Sequence, residues 1–322
     1  MSVRYLLRRV LQALLGVVAI LLITFVMAQL APGDAVDALA GEGADPAYLE
    51  HLRSQLRLDR PMPEQFLAYA ANVLQGDLGR SFAQGGRPVA ELIGERLPAT
   101  LLLMGTALLL SSVAGIVLGT LAARRAFGTF DLGLSTAALI GNALPAFWLA
   151  QIALLAVAYP TGLFPLHGMT DARAGHTGLA WVLDVAHHLV LPALVLAVAE
   201  LALVTRITRT RVLEELGHDY VRTARGKGAL ERTVLARHAL PNALLPVATV
   251  IGARIGLLFA GAALTETVFG WPGLGRLLVT AAETRDRPLI LGMVLLVAFA
   301  VIAANLVTDL VYAWIDPRVR YD

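Results

Sequence analysis

The sequence lacks cysteine altogether, and charged residues make up only 16% of its 322 positions. Without cysteine the chain can form no disulfide bond, no thiolate metal site and no thiol nucleophile. Hydrophobic residues, in contrast, account for 57% of the chain and give a mean hydropathy of +0.69. These values lie outside the range of soluble globular domains and predict a protein that is embedded in a lipid bilayer.

Signatures of nucleotide-binding and hydrolytic enzymes are absent as well. The phosphate-binding pattern G-x-x-x-x-G-K-[ST] does not occur, since RGKGA at positions 225–229 has neither the spacing nor the hydroxyl group. The patterns H-E-x-x-H and G-x-S-x-G are missing too. We therefore predict that the chain is not an enzyme and binds no cofactor or metal of its own. With a formal net charge of +2, it is also predicted to have no nucleic-acid partner.

Six apolar segments approach or exceed the length of about 20 residues that a helix needs to cross a bilayer core. They run over residues 10–30, 99–123, 132–159, 189–204, 244–264 and 288–314. The first is longer than the apolar region of a signal peptide, so we expect it to be retained. The fold class is therefore predicted to be an all-α integral membrane protein with six transmembrane helices.

The distribution of basic residues indicates the orientation of these helices. With the N-terminus inside, fifteen of the 26 lysine and arginine residues lie on inner segments and ten on outer loops. Basic residues favour the cytoplasmic side, so both termini are predicted to be inside. The predicted division is an N-terminal segment with the first helix (1–30), an extracytoplasmic region (31–98) and a core domain (99–322) whose cytoplasmic loop spans 209–243.

The extracytoplasmic region is long enough to contain structure of its own. Leu49, Leu52 and Leu56 share one helical face, and a second amphipathic helix is predicted to start at Pro63. We expect both helices to lie on the outer surface, where they either cap the bundle or dock a partner.

The cytoplasmic loop is unusually basic for this chain and reads DYVRTARGKGALERTVLARHALPNALLP over residues 219–246. Asp219 is predicted to be the N-cap of a short helix that ends at Gly228 in the left-handed conformation. A second helix is predicted from Leu230 to Ala239, followed by Pro241. Attraction to anionic lipid would explain the charge of this loop but not the positions of its glycine and proline residues.

Motifs along nearly the whole chain resemble those of the dipeptide/oligopeptide/nickel permeases of bacterial ABC importers, of the first-permease type. They are APGD, GDLGRSF, DYVRTARGKG, RHALPNALLP, ETVFGWPGLGRLL and DLVYAWIDPRVR. The general loop signature of such permeases, E-A-A-x3-G-x9-I-x-L-P, is matched in part by residues 222–224, Gly228 and residues 238–241. The glutamate, one alanine and the isoleucine of that signature are replaced here.

The resemblance implies the type I importer permease fold and a location in the bacterial plasma (inner) membrane. It implies that this chain forms half of a pore, that a second homologous permease completes the pore, and that an extracytoplasmic binding protein delivers peptides. Two ABC ATPase subunits would bind ATP and Mg. Nickel or another metal chelate is the alternative cargo, and a stand-alone secondary transporter or a membrane scaffold is the alternative from another class.

In this family the loop forms a coupling helix that docks in a groove of an ATPase subunit. The resemblance assigns that role here to Tyr220, Arg222, Thr223, Ala224, Arg225, Lys227, Gly228, His238, Leu240 and Pro241. The small side chains of Thr223 and Ala224 would allow close seating. The cationic side chains would form charge-assisted hydrogen bonds to carboxylates of the groove.

Candidates for the translocation path or gate are Pro145, Glu200, Arg254, Glu266, Phe269, Trp271, Pro272 and Gly273. Pro145 should break the third span and face the bundle interior. Glu200 and Arg254 are predicted at similar depth and are expected to form an ion pair, which either ties two helices together or contacts a zwitterionic peptide. By resemblance Trp271 helps to shape an extracellular gate, and the alternative is an aromatic residue at the membrane interface.

Histidine is concentrated in the outer loop between the third and fourth spans. His167, His176, His187 and His188 lie there, but none of them is four residues from another. We therefore predict no metal site, although nickel is the alternative cargo.

Overall fold

The computed structural model describes residues 3–30, 45, 50, 60–81, 83–260 and 262–315, with side chains described only from residue 7 and up to residue 307. Within this part of the chain all regular structure is helical, apart from an isolated bridge between Arg80 and Pro88. Leu49, Leu52 and Leu56, which were predicted to share a helical face, lie outside the described residues.

The helices are labelled in chain order. They are α1 (Val3–Leu30), α2 (Met62–Leu74), α3 (Val89–Arg124), α4 (Thr129–Ala143), α5 (Ala146–Ala153), α6 (Gly178–Leu216), α7 (Asp219–Gly226), α8 (Leu240–Leu257), α9 (Ala263–Val268), α10 (Leu274–Glu283) and α11 (Arg287–Ile315). Helix α5 continues through a π-helical turn, Leu154–Ala158, to Tyr159–Thr161. Helix α8 follows a short turn, Glu231–Thr233, and the π-helical segment Val234–Ala239, and it ends in a 3₁₀ turn, Leu258–Ala260.

Five helices of the described residues are long and apolar enough to cross a membrane: α1, α3, α6, α11 and the continuous stretch Glu231–Ala260 that contains α8. The sixth span is a bent pair, because α4 and α5 together pass the same test but meet at an angle of 99°. Leu144 at the bend is extended, as residues before a proline tend to be, and Pro145 caps α5. The predicted break at Pro145 is thus confirmed.

The chain divides into two compact units, residues 1–98 with 277–322 and residues 99–276. In the first unit, Leu21, Val73 and Leu295 join α1, α2 and α11 in one apolar cluster. Helix α2 begins with Pro63 in its first turn, as predicted.

The GDLGRSF motif is held in the first unit by a buried polar contact. The hydroxyl group of Ser81 donates to the carboxylate of Asp286, which also accepts a hydrogen bond from the backbone N–H of Ala83 at 3.2 Å. Because Asp286 immediately precedes α11, this contact fixes the motif to the start of the last span.

In the second unit, α3 and α6 approach so closely that only glycine fits at two positions of α3. A Cβ atom at Gly115 would lie 2.7 Å from the side chain of Val204, and one at Gly119 would lie 2.6 Å from the backbone oxygen of Thr205. Small residues at such spacing permit close helix contact inside a membrane, where packing rather than the hydrophobic effect drives association.

We expect Gly119→Ala to lower the stability of the folded chain by roughly 1–3 kcal/mol, the usual cost of overpacking. The added methyl group meets backbone, which cannot rotate away as a side chain can. The measurement is the thermal unfolding midpoint of the detergent-solubilised chain. Gly133→Ala on α4 is the matched control, because a Cβ atom there meets nothing within 4 Å. Equal midpoints for the two variants would contradict this account of the α3–α6 contact.

Candidate functional site

Helix α7 has one face packed against the chain itself and one exposed face. Val221 and Ala224 are buried in a cluster with Val234, and Leu216 and Ala229 pack against its edge. The exposed face carries Arg222, Thr223, Arg225 and Lys227. The helix therefore presents a cationic surface while the apolar side fixes it to the rest of the chain.

The structure corrects three expectations about this loop. Asp219 is not the N-cap but the first helical residue, because His218 occupies the cap position with an extended backbone and without a side-chain cap bond. The second helix begins at Glu231 rather than Leu230 and is mostly π-helical. Ala224 faces the chain's own cluster, so packing within the loop explains its small side chain.

The predicted left-handed end of α7 is confirmed, whereas Arg225, which the resemblance assigns to the ATPase groove, is paired within the chain. Gly228 follows the helix with φ of +81°, the left-handed conformation that glycine adopts without strain. Arg225 pairs with Glu231 through two contacts of 2.7 and 3.1 Å, and this hydrogen bonding raises the pKa of the guanidinium group. The side chain of Arg222 is 74% exposed and contacts only Asp219 among the described residues, at 3.3 Å. Arg222 and Lys227 are therefore the cations best placed for an external partner.

We expect Ala224→Trp to abolish transport without preventing membrane insertion. Indole cannot fit between Val221 and Val234, so α7 would be displaced from its cluster. The structural measurement is tryptic cleavage after Arg225 and Lys227 in inside-out vesicles, which should become faster. Ala236→Trp is the matched control because Ala236 is exposed in the same loop. Unchanged cleavage and unchanged uptake in Ala224→Trp would contradict the packing of this helix.

Tyr220 lies at the centre of a hydrogen-bond network that sequence reasoning did not reveal. Its hydroxyl group donates to the carboxylate of Glu215 near the end of α6. The side-chain amide of Asn242 donates to the Tyr220 hydroxyl oxygen at 3.1 Å and to the backbone oxygen of His238 at 3.2 Å. Partial burial, and to a lesser extent the bond to Glu215, raises the pKa of Tyr220. Asn242 lies in the RHALPNALLP motif, and this motif was the sequence feature that could have indicated a role for Asn242.

The other loop residues that were assigned to coupling lie at the entry to α8. Leu240 is partly buried against a cluster of Ala123, Val212 and Ala243. Pro241 is exposed in the first turn of α8, where its missing N–H leaves no donor unsatisfied. His238 contributes its backbone oxygen rather than its ring to the Tyr220 network.

The ETVFGWPGLG motif packs tightly around a buried carboxyl group. Glu266 is fully buried, and its carboxyl oxygens accept hydrogen bonds from the hydroxyl group of Thr100 and the backbone N–H of Arg276, both at 3.0 Å. Burial raises the pKa of Glu266, and these hydrogen bonds oppose the shift only in part. A Cβ atom at Gly273 would overlap the Glu266 carboxyl group. The glycine is therefore required by the carboxyl group beside it.

The aromatic residues of this motif are also buried. Trp271 is fully enclosed and donates its indole N–H to the backbone oxygen of Ala99 at 2.8 Å. Phe269 packs with Ala150 and Leu191 in a separate cluster. A residue of the membrane interface would keep part of its ring in the headgroup region, so that alternative for Trp271 is wrong. Pro272 is partly buried beside it.

Glu200 and Arg254 form the expected ion pair. The guanidinium group on α8 lies 3.4 Å from the carboxylate on α6, and each side chain is 36% exposed. Both charges therefore lie on a surface within the spans that the described residues cover only in part. Such a position requires a second subunit, water or cargo as its environment.

The structure reveals a second ion pair that sequence reasoning missed. The guanidinium group of Arg209, near the end of α6, donates two hydrogen bonds, of 2.5 and 2.6 Å, to the carboxylate of Asp131 in the first turn of α4. The backbone N–H of Phe127 donates to the same carboxylate at 2.8 Å. Asp131 is buried. Asp131 is an isolated acidic residue at the start of an otherwise apolar segment, and this could have indicated the ion pair, since a buried charge needs a partner.

The structure places His187 and His188 in α6 rather than in the loop before it, and both have structural contacts. A ring nitrogen of His187 lies 2.7 Å from the backbone oxygen of Leu163, and one of His188 lies 3.1 Å from the carboxylate of Asp184. His167 packs over Gly270, which has a positive φ and no room for a side chain. Across the residues that the structure describes, no group of three histidine, aspartate or glutamate side chains could hold a metal ion.

Comparison with known proteins agrees with this arrangement. The family model described as "Binding-protein-dependent transport system inner membrane component" matches residues 115–321, and the model of the corresponding N-terminal region matches residues 2–104. The chain belongs to this family. The permease is therefore a multi-pass inner-membrane protein with the type I ABC importer fold, and it works with a binding protein.

Its relatives are similar over nearly their full length. A putative peptide permease protein of Brucella suis is 42% identical over 319 residues, which cover 98% of the permease and 99% of the relative. The oligopeptide transport system permease protein AppB of Bacillus subtilis is 39% identical, with coverage of 98% and 99%. The dipeptide transport system permease protein DppB of Escherichia coli is 40% identical, with coverage of 99% of each chain.

Proposed function

We propose that the permease forms half of the translocation pore of an ATP-driven importer of di- or oligopeptides. A second homologous permease completes the pore, an extracytoplasmic binding protein delivers the peptide, and both termini face the cytoplasm. The observation that carries this proposal is α7, a short helix whose apolar face is packed between the fourth and fifth spans and whose cationic face is exposed. Relatives named as peptide permeases support the cargo.

The energy for transport comes, in this proposal, from two ABC ATPase subunits that bind ATP and Mg. The permease has no phosphate-binding loop of its own. The cytoplasmic loop 209–243 of the core domain 99–322 docks on one ATPase through α7. Arg222 and Lys227 then contact carboxylates of the ATPase groove, and Thr223 lies between them on the exposed face.

The translocation path runs, in this proposal, along the surface that carries Glu200 and Arg254. Their opposite charges match the two ends of a zwitterionic peptide, and the half-exposed position leaves both accessible. The bend at Pro145, which divides the third span into α4 and α5, belongs to this path in the proposal. The packed motif that contains Glu266, Phe269, Trp271, Pro272 and Gly273 forms the outer gate in this proposal.

Exchanging the two charges tests this path. We expect Glu200→Arg alone to reduce the amount of folded permease, because two like charges would face each other in a low-dielectric region. The double variant with Arg254→Glu should recover folding but change the preference between dipeptides with free and with blocked termini. The measurement combines detergent size-exclusion profiles with competition for uptake. If folding recovers but the preference between free and blocked dipeptides is unchanged, the ion pair has only a structural role.

The proposed function is tested by co-expressing the permease with its partner subunits and reconstituting the purified complex in liposomes. We expect copurification with two P-loop subunits and uptake of radiolabelled dialanine that requires both ATP and the binding protein. Uptake by the permease without ATPase subunits would identify a secondary transporter and overturn the proposal. Uptake of nickel ions but not of peptide would overturn the cargo and leave the ATP-driven mechanism intact.

A further inference from the structure

We propose that Tyr220 does not contact the ATPase but acts as a positioning residue that ties α7 to both the fourth and the fifth spans. This inference rests on the proposed docking of α7 and assigns its transmission step. The hydroxyl group of Tyr220 lies between Glu215 on α6 and Asn242 on α8, and it contacts both. One side chain of the coupling helix is thus hydrogen-bonded to the end of one span and to the start of the next.

The Tyr220 hydroxyl group has both a hydrogen-bond acceptor and a hydrogen-bond donor within the permease. A tyrosine hydroxyl has one proton, which goes to the Glu215 carboxylate, and its oxygen accepts one N–H of Asn242. The Asn242 amide nitrogen also donates to the backbone oxygen of His238. The bond to Glu215 is charge-assisted, the stronger class of hydrogen bond. Tyr220 is 40% exposed, but its hydroxyl group has its polar contacts inside the permease.

The backbone at the entry to α8 explains why such a tie is needed. Residues Val234–Ala239 form a π-helix, in which the N–H of Leu240 bonds to the backbone oxygen of Leu235, five residues earlier. Pro241 follows and has no N–H to continue this ladder. The backbone between α7 and the fifth span thus departs from α-helical hydrogen bonding, and π-helical turns frequently occur at functional sites. A displacement of α7 would deform this segment instead of moving the fifth span, unless a side-chain contact connects the two sides of the segment.

Tyr220 and Asn242 provide that connection. Their contact joins residues 22 positions apart and spans the π-helical segment from one side to the other. Because Glu215 belongs to the last turn of α6, the same hydroxyl group holds the fourth span as well. Movement of α7 is then passed to both spans together, as transmission by rigid-body displacement requires.

The test uses the assembled importer, with cysteine-free partner subunits, in nanodiscs. The permease has no cysteine, so spin labels at Thr210→Cys on α6 and Thr249→Cys on α8 report only the chosen pair. Both threonines are exposed and bond only to their own helices. The measurement is the distance distribution between the labels, recorded without nucleotide and with ATP and vanadate, which traps the closed ATPases.

We expect the distribution to stay narrow in both states in the otherwise unaltered importer. Tyr220→Phe, which keeps the ring and removes the hydroxyl group, should broaden it only with ATP and vanadate. The dialanine taken up per ATP hydrolysed should fall about tenfold, as expected for loss of one hydrogen bond to a charged group. Asn242→Ala should give the same defect, and the double variant should add nothing to either single change.

Tyr159→Phe is the matched control, because Tyr159 is largely exposed and lies outside the loop. Copurification of the ATPases with Tyr220→Phe is expected to be normal. Its loss would show that Tyr220 contacts the ATPase and would overturn the inference. Broadening in both states would show that Tyr220 is only a structural residue. Additive effects of Tyr220→Phe and Asn242→Ala would show that the two residues act independently, and either result would overturn the inference. An unaltered importer that binds no ATPase would instead contradict the proposed function.

Discussion

The Gly273→Ala variant is expected to lose most of its folded population, although it adds a single methyl group. That methyl group would overlap all three heavy atoms of the Glu266 carboxyl group, which is fully buried and cannot move into solvent. Displacing it would also break the hydrogen bonds from Thr100 and Arg276. We expect the stability to fall by roughly 3 kcal/mol or more, because overpacking and the loss of buried hydrogen bonds add together.

The measurement is the thermal unfolding midpoint of the detergent-solubilised permease. Gly105→Ala is the matched control, since a Cβ atom there meets nothing within 4 Å. Glu266→Ala in the Gly273→Ala background removes the group that the methyl overlaps. The double variant should therefore be less destabilised than the sum of the two single variants. A normal midpoint for Gly273→Ala alone would contradict the packing described for this motif.

This glycine shows why part of the site could not be predicted from the sequence. The sequence places Glu266 and Gly273 in one motif and suggests an outer gate by resemblance. It does not reveal that the carboxyl group is buried against Thr100, which lies 166 positions earlier. Contacts between residues so distant depend on how the spans pack, and the helical period of a single segment carries no information about that.

Features that depend on local chemistry were predicted correctly. The apolar segments gave the spans because a bilayer core imposes a minimum helix length. The bend at Pro145, the helix start at Pro63 and the left-handed Gly228 follow from backbone restrictions of single residues. The pairing of Glu200 with Arg254 could be predicted from depth alone, since an isolated charge is costly within a membrane.

The errors in the cytoplasmic loop have a different physical cause. The small size of Ala224 suggests close contact, but size does not indicate whether the contact is internal or with a partner. Asp219 has a good capping side chain, yet His218 occupies the cap position, and its backbone oxygen accepts the first helical hydrogen bonds, from the N–H groups of Val221 and Arg222. In the case of Ala224, burial of the apolar face of α7 determines the geometry, and intrinsic preferences yield to it.

Reversing the two exposed charges of α7 is expected to uncouple the permease from its ATPases. Arg222→Glu with Lys227→Glu should reduce copurification of the ATPase subunits and ATP-dependent uptake by more than about tenfold, because two attractive contacts become repulsive. The variant should fold normally, since both residues lie on the exposed face and Val221 still packs against Val234. The measurements are subunit stoichiometry after affinity purification and uptake in liposomes.

The control for this variant is Arg173→Glu, an exposed cation in the outer loop. On the predicted topology it lies on the opposite side of the membrane, so it should leave ATPase binding unchanged. Raising the salt concentration should weaken binding of the unaltered permease but have little effect on the reversed variant, because exposed charges are screened. Normal ATPase binding by the reversed variant would contradict docking through Arg222 and Lys227 and would favour attraction to lipid headgroups, the alternative that the charge alone would allow.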